Sequence, residues 1–163
     1  MASPFAKSNS KASLMRELDL SGVEGERIYN LLKKDAECGR DGLSHNFEAL
    51  TDLSKLRNVL MPFRWDDLQE TYRYNERMAM VQRATCETQA YYQQGVWETS
   101  VLQDNWVADW FLWHSFRFRD NRKTVAAMRA PEESRVFVAD LAVYEKNGYK
   151  GAVCEIEAET VPA

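Results

Sequence analysis

The stretch WETSVLQDNWVADWFLWHSFRFR, residues 97–119, carries four of the chain's five tryptophans and three of its seven phenylalanines. On a helical wheel Leu102, Trp106, Trp110 and Trp113 fall on one narrow face, and further apolar side chains cover most of the remaining circumference. A helix that is apolar nearly all round is buried, with protein on more than one side. The stretch therefore predicts a central, Trp-rich helix around which the core closes.

Upstream of this stretch, apolar spacing and cap signals predict four further helices. The first is a short helix in KASLMREL, residues 11–18. Ser21 and Glu24 form a capping-box pattern, which predicts a second helix to about Ala36. The CGRDG run at 38–42 should end it, because glycine readily takes the left-handed conformation after a helix. The third helix is expected from about Asn46 to Met61, and the fourth over 66–94.

The predicted helix at 66–94 shows two apolar stripes. The members of the first stripe, from Tyr74 to Tyr92, follow one another at alternating spacings of four and three residues. This is the heptad pattern of near-antiparallel or coiled-coil-like packing. A second stripe includes Cys86, which we interpret as a small apolar filler. Two stripes imply two packing neighbours, and the Trp-rich helix is the obvious candidate for one.

The pattern changes from helices to strands after Arg129. The ranges 135–144 and 149–158 are each typical of a strand. They flank Lys146-Asn147-Gly148, which is a strong signal for a type I′ hairpin turn. The expected fold class is mainly α: an antiparallel helical bundle with a C-terminal β-hairpin. The predicted organisation is an N-terminal arm with a short helix at 1–20, a helical domain at 21–130, and the hairpin and tail at 131–163.

Composition narrows the function classes. The 163 residues carry a net charge of -4 and three cysteines without a CxxC motif, so nucleic-acid binding, a disulfide framework and a zinc site are all disfavoured. Reduced thiols favour an intracellular, reducing compartment, either the cytoplasm or the mitochondrial matrix side. Residues 1–16 hold three bases and no acid, which fits either a polar arm or an organelle transit segment. No apolar run reaches the roughly 18 residues of a membrane span, which leaves only peripheral membrane contact open.

Catalytic patterns are absent from the sequence. There is no nucleophile elbow, phosphate-binding loop or dinucleotide fingerprint, so we predict no enzyme, no catalytic residue, no cofactor and no metal. His114 is interpreted as a histidine hydrogen-bonded at the edge of the core, with a Cys86–His114 pair as the weaker alternative. Bases at 117–123 interleave with Phe116 and Phe118, as in single-strand nucleic-acid binders. Cations near a helix C-terminus are favoured in any protein, so nucleic acid is an unlikely partner, while an acidic protein or phospholipid heads stay open.

One short segment resembles part of a known protein family. The run YNERMAMVQRA, residues 74–84, with Trp97 following, is similar to the middle of the small helical matrix-side subunit of the cytochrome bc1 complex. The similarity is confined to this segment, and neither its flanks nor the predicted hairpin match that family. It implies an accessory subunit of a respiratory assembly as one setting, and we assign no family from it.

The function expected from these patterns is a non-catalytic structural or interaction subunit of a larger multiprotein assembly. Aromatic and arginine enrichment is typical of interface centres. The setting would be an accessory subunit of an organellar membrane complex, or a viral or phage structural or adaptor protein. The alternative is a small helical pigment-binding, ligand-binding or nucleic-acid-binding protein. The candidate interaction residues are Trp106, Trp110, Trp113, Arg117, Arg119, Arg122 and Lys123.

Overall fold

The computed structural model describes residues 5–98 and 102–129, with side chains described through Asn121. The chain divides into two compact units, Met1–Lys123 and Thr124–Ala163. The fold is mainly helical, which confirms the predicted class. Its elements are α1 (Lys11–Glu17), α2 (Gly22–Ser44), a 3₁₀ turn (Phe47–Ala49), α3 (Asp52–Leu56), a second 3₁₀ turn (Trp65–Asp67), α4 (Glu70–Gln82), α5 (Gln89–Gln94), β1 (Val96–Glu98), β2 (Gln103–Asn105) and α6 (Trp106–Arg129).

Helix α6 is the central helix that the Trp-rich stretch predicts. Its buried residues occupy several faces, as expected for a helix surrounded by protein. The helix begins later than predicted, because Leu102, which the helical wheel places on its apolar face, is exposed and precedes α6. The buried apolar residues of α6 are Trp106, Val107, Ala108, Trp110, Phe111, Leu112 and Phe116.

Asn105 sets the first turn of α6. Its side-chain Oδ1 accepts a hydrogen bond from the Ala108 amide at 3.0 Å, and its Nδ2 donates to the Tyr92 carbonyl at 2.6 Å. The first bond caps the helix, and the second ties it to α5.

A two-stranded antiparallel hairpin joins α5 to α6. Val96 pairs with Asn105 and Glu98 with Gln103. Gly95 permits the close return of the chain, since a Cβ there would lie 2.6 Å from the Asn105 Oδ1. The predicted C-terminal hairpin, residues 135–158, lies outside the described residues.

Helix α2 begins after Ser21 as predicted, but it runs to Ser44 rather than ending near Ala36. The glycines of the CGRDG run lie inside it. A Cβ at Gly39 would come within 2.7 Å of a Glu76 side-chain oxygen, so this glycine leaves room for α4 instead of ending the helix. The predicted capping box does not form at the described start of α2. The Ser21 side chain makes no cap hydrogen bond there, and Glu24 forms an ion pair with Arg27 instead.

The predicted single helix at 66–94 is wrong. A 3₁₀ turn opens the region, and residues 83–88 separate α4 from α5. In that break the Thr85 amide donates to the buried Thr88 hydroxyl at 3.1 Å, a side-chain bond that competes with helix continuation. Cys86 is exposed there, so its interpretation as an apolar filler is also wrong.

The described N-terminal segment, residues 5–10, packs onto α6 within the first unit. The Phe5 ring lies 4.8 Å from the Trp106 ring, and the Trp110 Nε1 donates to the Asn9 carbonyl at 3.2 Å. Further along, α1 forms where it is predicted, with Leu14 buried on it. Within 5–98 and 102–129, no helix combines the length and the apolar character that crossing a bilayer requires.

Candidate functional site

The segment from Phe47 to Met61 turns large apolar side chains outward. The sequence predicts one helix here, but the chain forms a 3₁₀ turn, the five-residue α3, and then a turn and irregular chain to Met61. Five apolar side chains are between 55% and 88% exposed. We call this set the apolar platform; its members are Phe47, Leu53, Leu56, Leu60 and Met61.

Helix α3 is amphipathic in the reverse of the usual sense. Its buried residue is Ser54, while Leu53 and Leu56 face solvent. The Thr51 hydroxyl donates to the Ser54 Oγ at 2.9 Å, and the Ser54 hydroxyl donates to the Asp67 Oδ1 at 3.2 Å. Polar bonds therefore hold the inner face of α3, which leaves its leucines on the outside.

The start of the platform is fixed to the second 3₁₀ turn and the entry to α4. Leu50 is fully buried and forms an antiparallel bridge with Leu68. The Gln69 side chain donates to the Leu50 carbonyl at 2.6 Å, and the Gln69 amide to the Ala49 carbonyl at 2.8 Å. The apolar side chains are consequently presented on a supported backbone.

Charges border the platform in two different ways. Lys55 lies 3.6 Å from the Glu48 carboxylate and 5.6 Å from the Phe47 ring centroid, so these two charges compensate each other. Asp52 and Arg57 are exposed, and no ion pair joins either of them to another described residue. One carboxylate and one guanidinium thus remain available beside the leucines of α3.

The sequence-predicted interaction residues lie elsewhere, on α6. Trp106 and Trp110 are buried in the core of the chain itself. Trp113 is partly exposed, and the Arg117 guanidinium lies over its ring at 5.1 Å. Arg119 donates from Nη2 to the Phe63 carbonyl at 2.6 Å. The remaining two predicted residues, Arg122 and Lys123, lie beyond the described side chains, and an interaction role for this set stays a prediction.

His114 lies at the edge of the core, as predicted. Its Nε2 is 3.0 Å from the Lys7 carbonyl, which can only accept, so Nε2 carries the proton and Nδ1 is the acceptor of the neutral ring. The ring packs 3.8 Å from the Trp110 ring, and burial lowers the pKa of His114. Cys86 is not among its described contacts. A cleft of about 240 Å³ opens here, and the described side chains that line it include Trp113 and Arg117 but no carboxylate.

A buried charge cluster surrounds Arg77 of α4, and no sequence signal predicts it. The Arg77 guanidinium donates to both Asp104 oxygens at 3.1 Å and to Glu70 at 2.9 Å, and Asp109 lies 3.3 Å away. Burial works to lower the pKa of Arg77, but the three carboxylates raise it above its usual value. Burial raises the pKa of Asp109 despite Lys7 and Arg77, because its carboxylate loses more hydration than the two cations offset. This cluster joins α4, β2 and α6 structurally.

Neither metal chemistry nor relationship to known proteins identifies the function. Within 5–98 and 102–129, no three His, Cys, Asp or Glu side chains gather closely enough to hold a metal ion. No family model matches the chain, and no curated protein or solved structure matches it. The apolar platform is therefore the feature from which function is argued.

Proposed function

We propose that the protein is a non-catalytic interaction subunit of a larger multiprotein assembly, and that the apolar platform is its contact surface. The observation that most supports this proposal is the reversed amphipathicity of α3, in which Ser54 is buried while Leu53 and Leu56 face solvent. Leucines placed outward on a supported backbone favour a partner that covers them. Clustered exposed apolar groups mark protein-interaction sites more often than scattered ones do.

Burial of the apolar platform can offset part or all of the cost of association. Burying a large apolar side chain contributes about 1.5–3 kcal/mol, so the five members of the platform, each partly covered already, contribute on the order of 5–10 kcal/mol. Association costs about 4–15 kcal/mol in lost freedom of motion. The platform can therefore form the centre of an interface whose polar rim supplies the remaining affinity.

The setting is also a proposal. The similarity of residues 74–84 to the matrix-side subunit favours an accessory subunit of an organellar membrane complex, such as a respiratory complex. In the structure this segment covers most of α4 and carries the buried Arg77. A viral or phage structural or adaptor protein uses the same kind of surface and remains the alternative setting.

Affinity purification tests the interaction role directly. Tagged wild-type protein and the variant Leu56→Glu/Leu60→Glu are cross-linked in the cells that express the protein, and co-purifying chains are quantified by mass spectrometry. Val23→Glu is the matched control, because Val23 is also apolar and 90% exposed but lies on α2. We expect a stoichiometric partner with wild type and the control that is lost from the double variant. A partner set that the double variant leaves unchanged would refute the proposal.

A second candidate function is small-molecule binding at the cleft beside His114. The observation that favours it is the lining by described residues, which includes Trp113, Phe118 and Arg117 and no carboxylate among them, and which suits an aromatic anion. A thermal-shift screen of aromatic carboxylates and phosphates tests it, with Arg117→Gln as the control that should abolish any shift. If no such compound stabilises the wild-type protein, this candidate is wrong.

A further inference from the structure

We infer that the partner of the apolar platform is a second copy of this chain, related by a two-fold axis that places Asp52 of each copy beside Arg57 of the other. The inference rests on the proposed function, because it names the occupant of the same surface. It is carried by the arrangement of charges and leucines along α3.

The charges of the platform are self-complementary. Residues 47–61 contain two acids and two bases, and Glu48 is already compensated by Lys55. The two charges left without an ion pair among the described residues are Asp52 and Arg57. Two copies could therefore meet without net repulsion. Each copy would bring one carboxylate, Asp52, and one guanidinium, Arg57, that can pair with the other copy.

Asp52 and Arg57 lie on opposite flanks of the exposed leucines. Asp52 is the first residue of α3 and Arg57 is its C-cap, whose backbone is still near-helical. Positions five apart are separated by about 140° around a helix of 3.6 residues per turn, so the two side chains diverge within one copy. In heptad terms Leu53 and Leu56 occupy a and d, which makes Asp52 a g position and Arg57 an e position. Opposite charges at g and e form salt bridges between parallel paired helices.

A two-fold axis satisfies both charges at once. In such an interface the same patch serves on both copies, so each contact between residues i and j occurs twice. Asp52 of one copy meets Arg57 of its partner, the reciprocal pair forms on the other side, and Leu53 and Leu56 meet in the middle. A different protein would need an apolar face with the same alternation of charge, whereas a second copy has it already.

Sedimentation equilibrium of the purified full chain over a wide concentration range tests the inference, with circular dichroism confirming that each variant is folded. Wild type and Val23→Glu should be dimeric, and Leu56→Glu should be monomeric. Asp52→Arg and Arg57→Asp should each raise the dimer dissociation constant by about tenfold or more, since both symmetric contacts become repulsive. The charge swap Asp52→Arg/Arg57→Asp should restore it to near the wild-type value.

Three results would overturn the inference, and they separate it from the proposed function. A chain that is monomeric throughout, while Leu56→Glu/Leu60→Glu still loses a different protein in the purification, removes the second copy and keeps the interaction role. A dimer that Leu56→Glu leaves intact uses another surface. A charge swap that weakens the dimer further excludes the Asp52–Arg57 arrangement.

Discussion

Replacement of Arg77 by methionine should destabilise the fold more than any other single charge removal in α4. Arg77 is only 4% exposed, and its guanidinium contacts Glu70, Asp104 and Asp109 at 2.9–3.3 Å. Methionine matches the apolar stem of arginine and its contacts but removes the guanidinium and its charge. Up to three carboxylates then lose their common cation.

The expected loss in free energy of unfolding depends on which cations remain beside each carboxylate after the substitution. Removing one partner of a buried ion pair typically costs about 3–5 kcal/mol, because the other charge stays buried without compensation. Here Asp109 keeps Lys7 at 3.1 Å, and Glu70 keeps Arg73 at 2.9 Å. We therefore expect a loss near the lower end, about 3 kcal/mol, equivalent to a fall in melting temperature of roughly 10 °C for a unit of this size.

Urea and thermal unfolding of Arg77→Met, followed by circular dichroism, measure this loss. Arg83→Met is the matched control, because Arg83 pairs with Glu76 but its side chain is 55% exposed. An exposed pair of that kind contributes about 0–1 kcal/mol. If Arg77→Met lost no more free energy of unfolding than Arg83→Met, Asp104 and Asp109 would have to be hydrated as the exposed Glu70 is, and the buried cluster would be refuted.

Three further predictions concern the helix cap, the platform and pH. Asn105→Ala should cost about 2–3 kcal/mol in urea unfolding, because both a helix cap and a buried partner of a carbonyl are lost; a cost below about 0.5 kcal/mol would contradict the cap. Measured on the monomer, at concentrations below the dimer dissociation constant, Leu50→Ala should cost about 2–5 kcal/mol and Leu56→Ala almost nothing, and equal costs would refute the outward orientation of α3. Burial lowers the folded-state pKa of His114 below its ordinary 6.5, so the folded state binds fewer protons and stability is lost as pH falls through 6.5. His114→Phe should remove that part of the pH dependence, as a comparison of melting temperatures between about pH 8 and pH 5 will show.

The periodic elements could be predicted from sequence because local pattern decides them. The apolar circumference of α6 and the start of α2 at Ser21 are examples. The predicted helix at 66–94 failed because a periodic apolar pattern does not reveal where a buried hydroxyl replaces the helical ladder, as Thr88 does. The extension of α2 through Gly39 was missed because the reason for that glycine is contact with Glu76, a residue distant in sequence.

The apolar platform could not be predicted for a related reason. Leucines at helical spacing are typical of a core, and the pattern does not say which side of a helix faces inward. That choice depends on the bond between Ser54 and Asp67, thirteen positions apart in the chain. A local signal did exist: Asn46 and Thr51 both accept from amides in the following turn, so they are cap residues that break the predicted helix into two shorter pieces.

Arg119 links the Trp-rich helix to the platform, and its replacement provides a last test. Its Nη2 donates to the Phe63 carbonyl at 2.6 Å, while the Phe63 amide donates to the Ser44 carbonyl at 2.8 Å. These bonds hold the chain directly after Met61, so α6 supports the platform from within. Arg119→Met removes the donor and leaves a carbonyl unpaired, at a cost of about 1–3 kcal/mol.

Hydrogen exchange read by mass spectrometry distinguishes a local effect of Arg119→Met from a global one. Peptides covering 57–64 should exchange faster than in wild type, because the end of the platform loosens. Peptides around Leu50 should be unchanged, since Leu68 and Gln69 hold that end independently. Faster exchange throughout the chain, or no change at 57–64, would show that Arg119 does not support the platform. The outward leucines would then depend on α3 and its polar anchors alone.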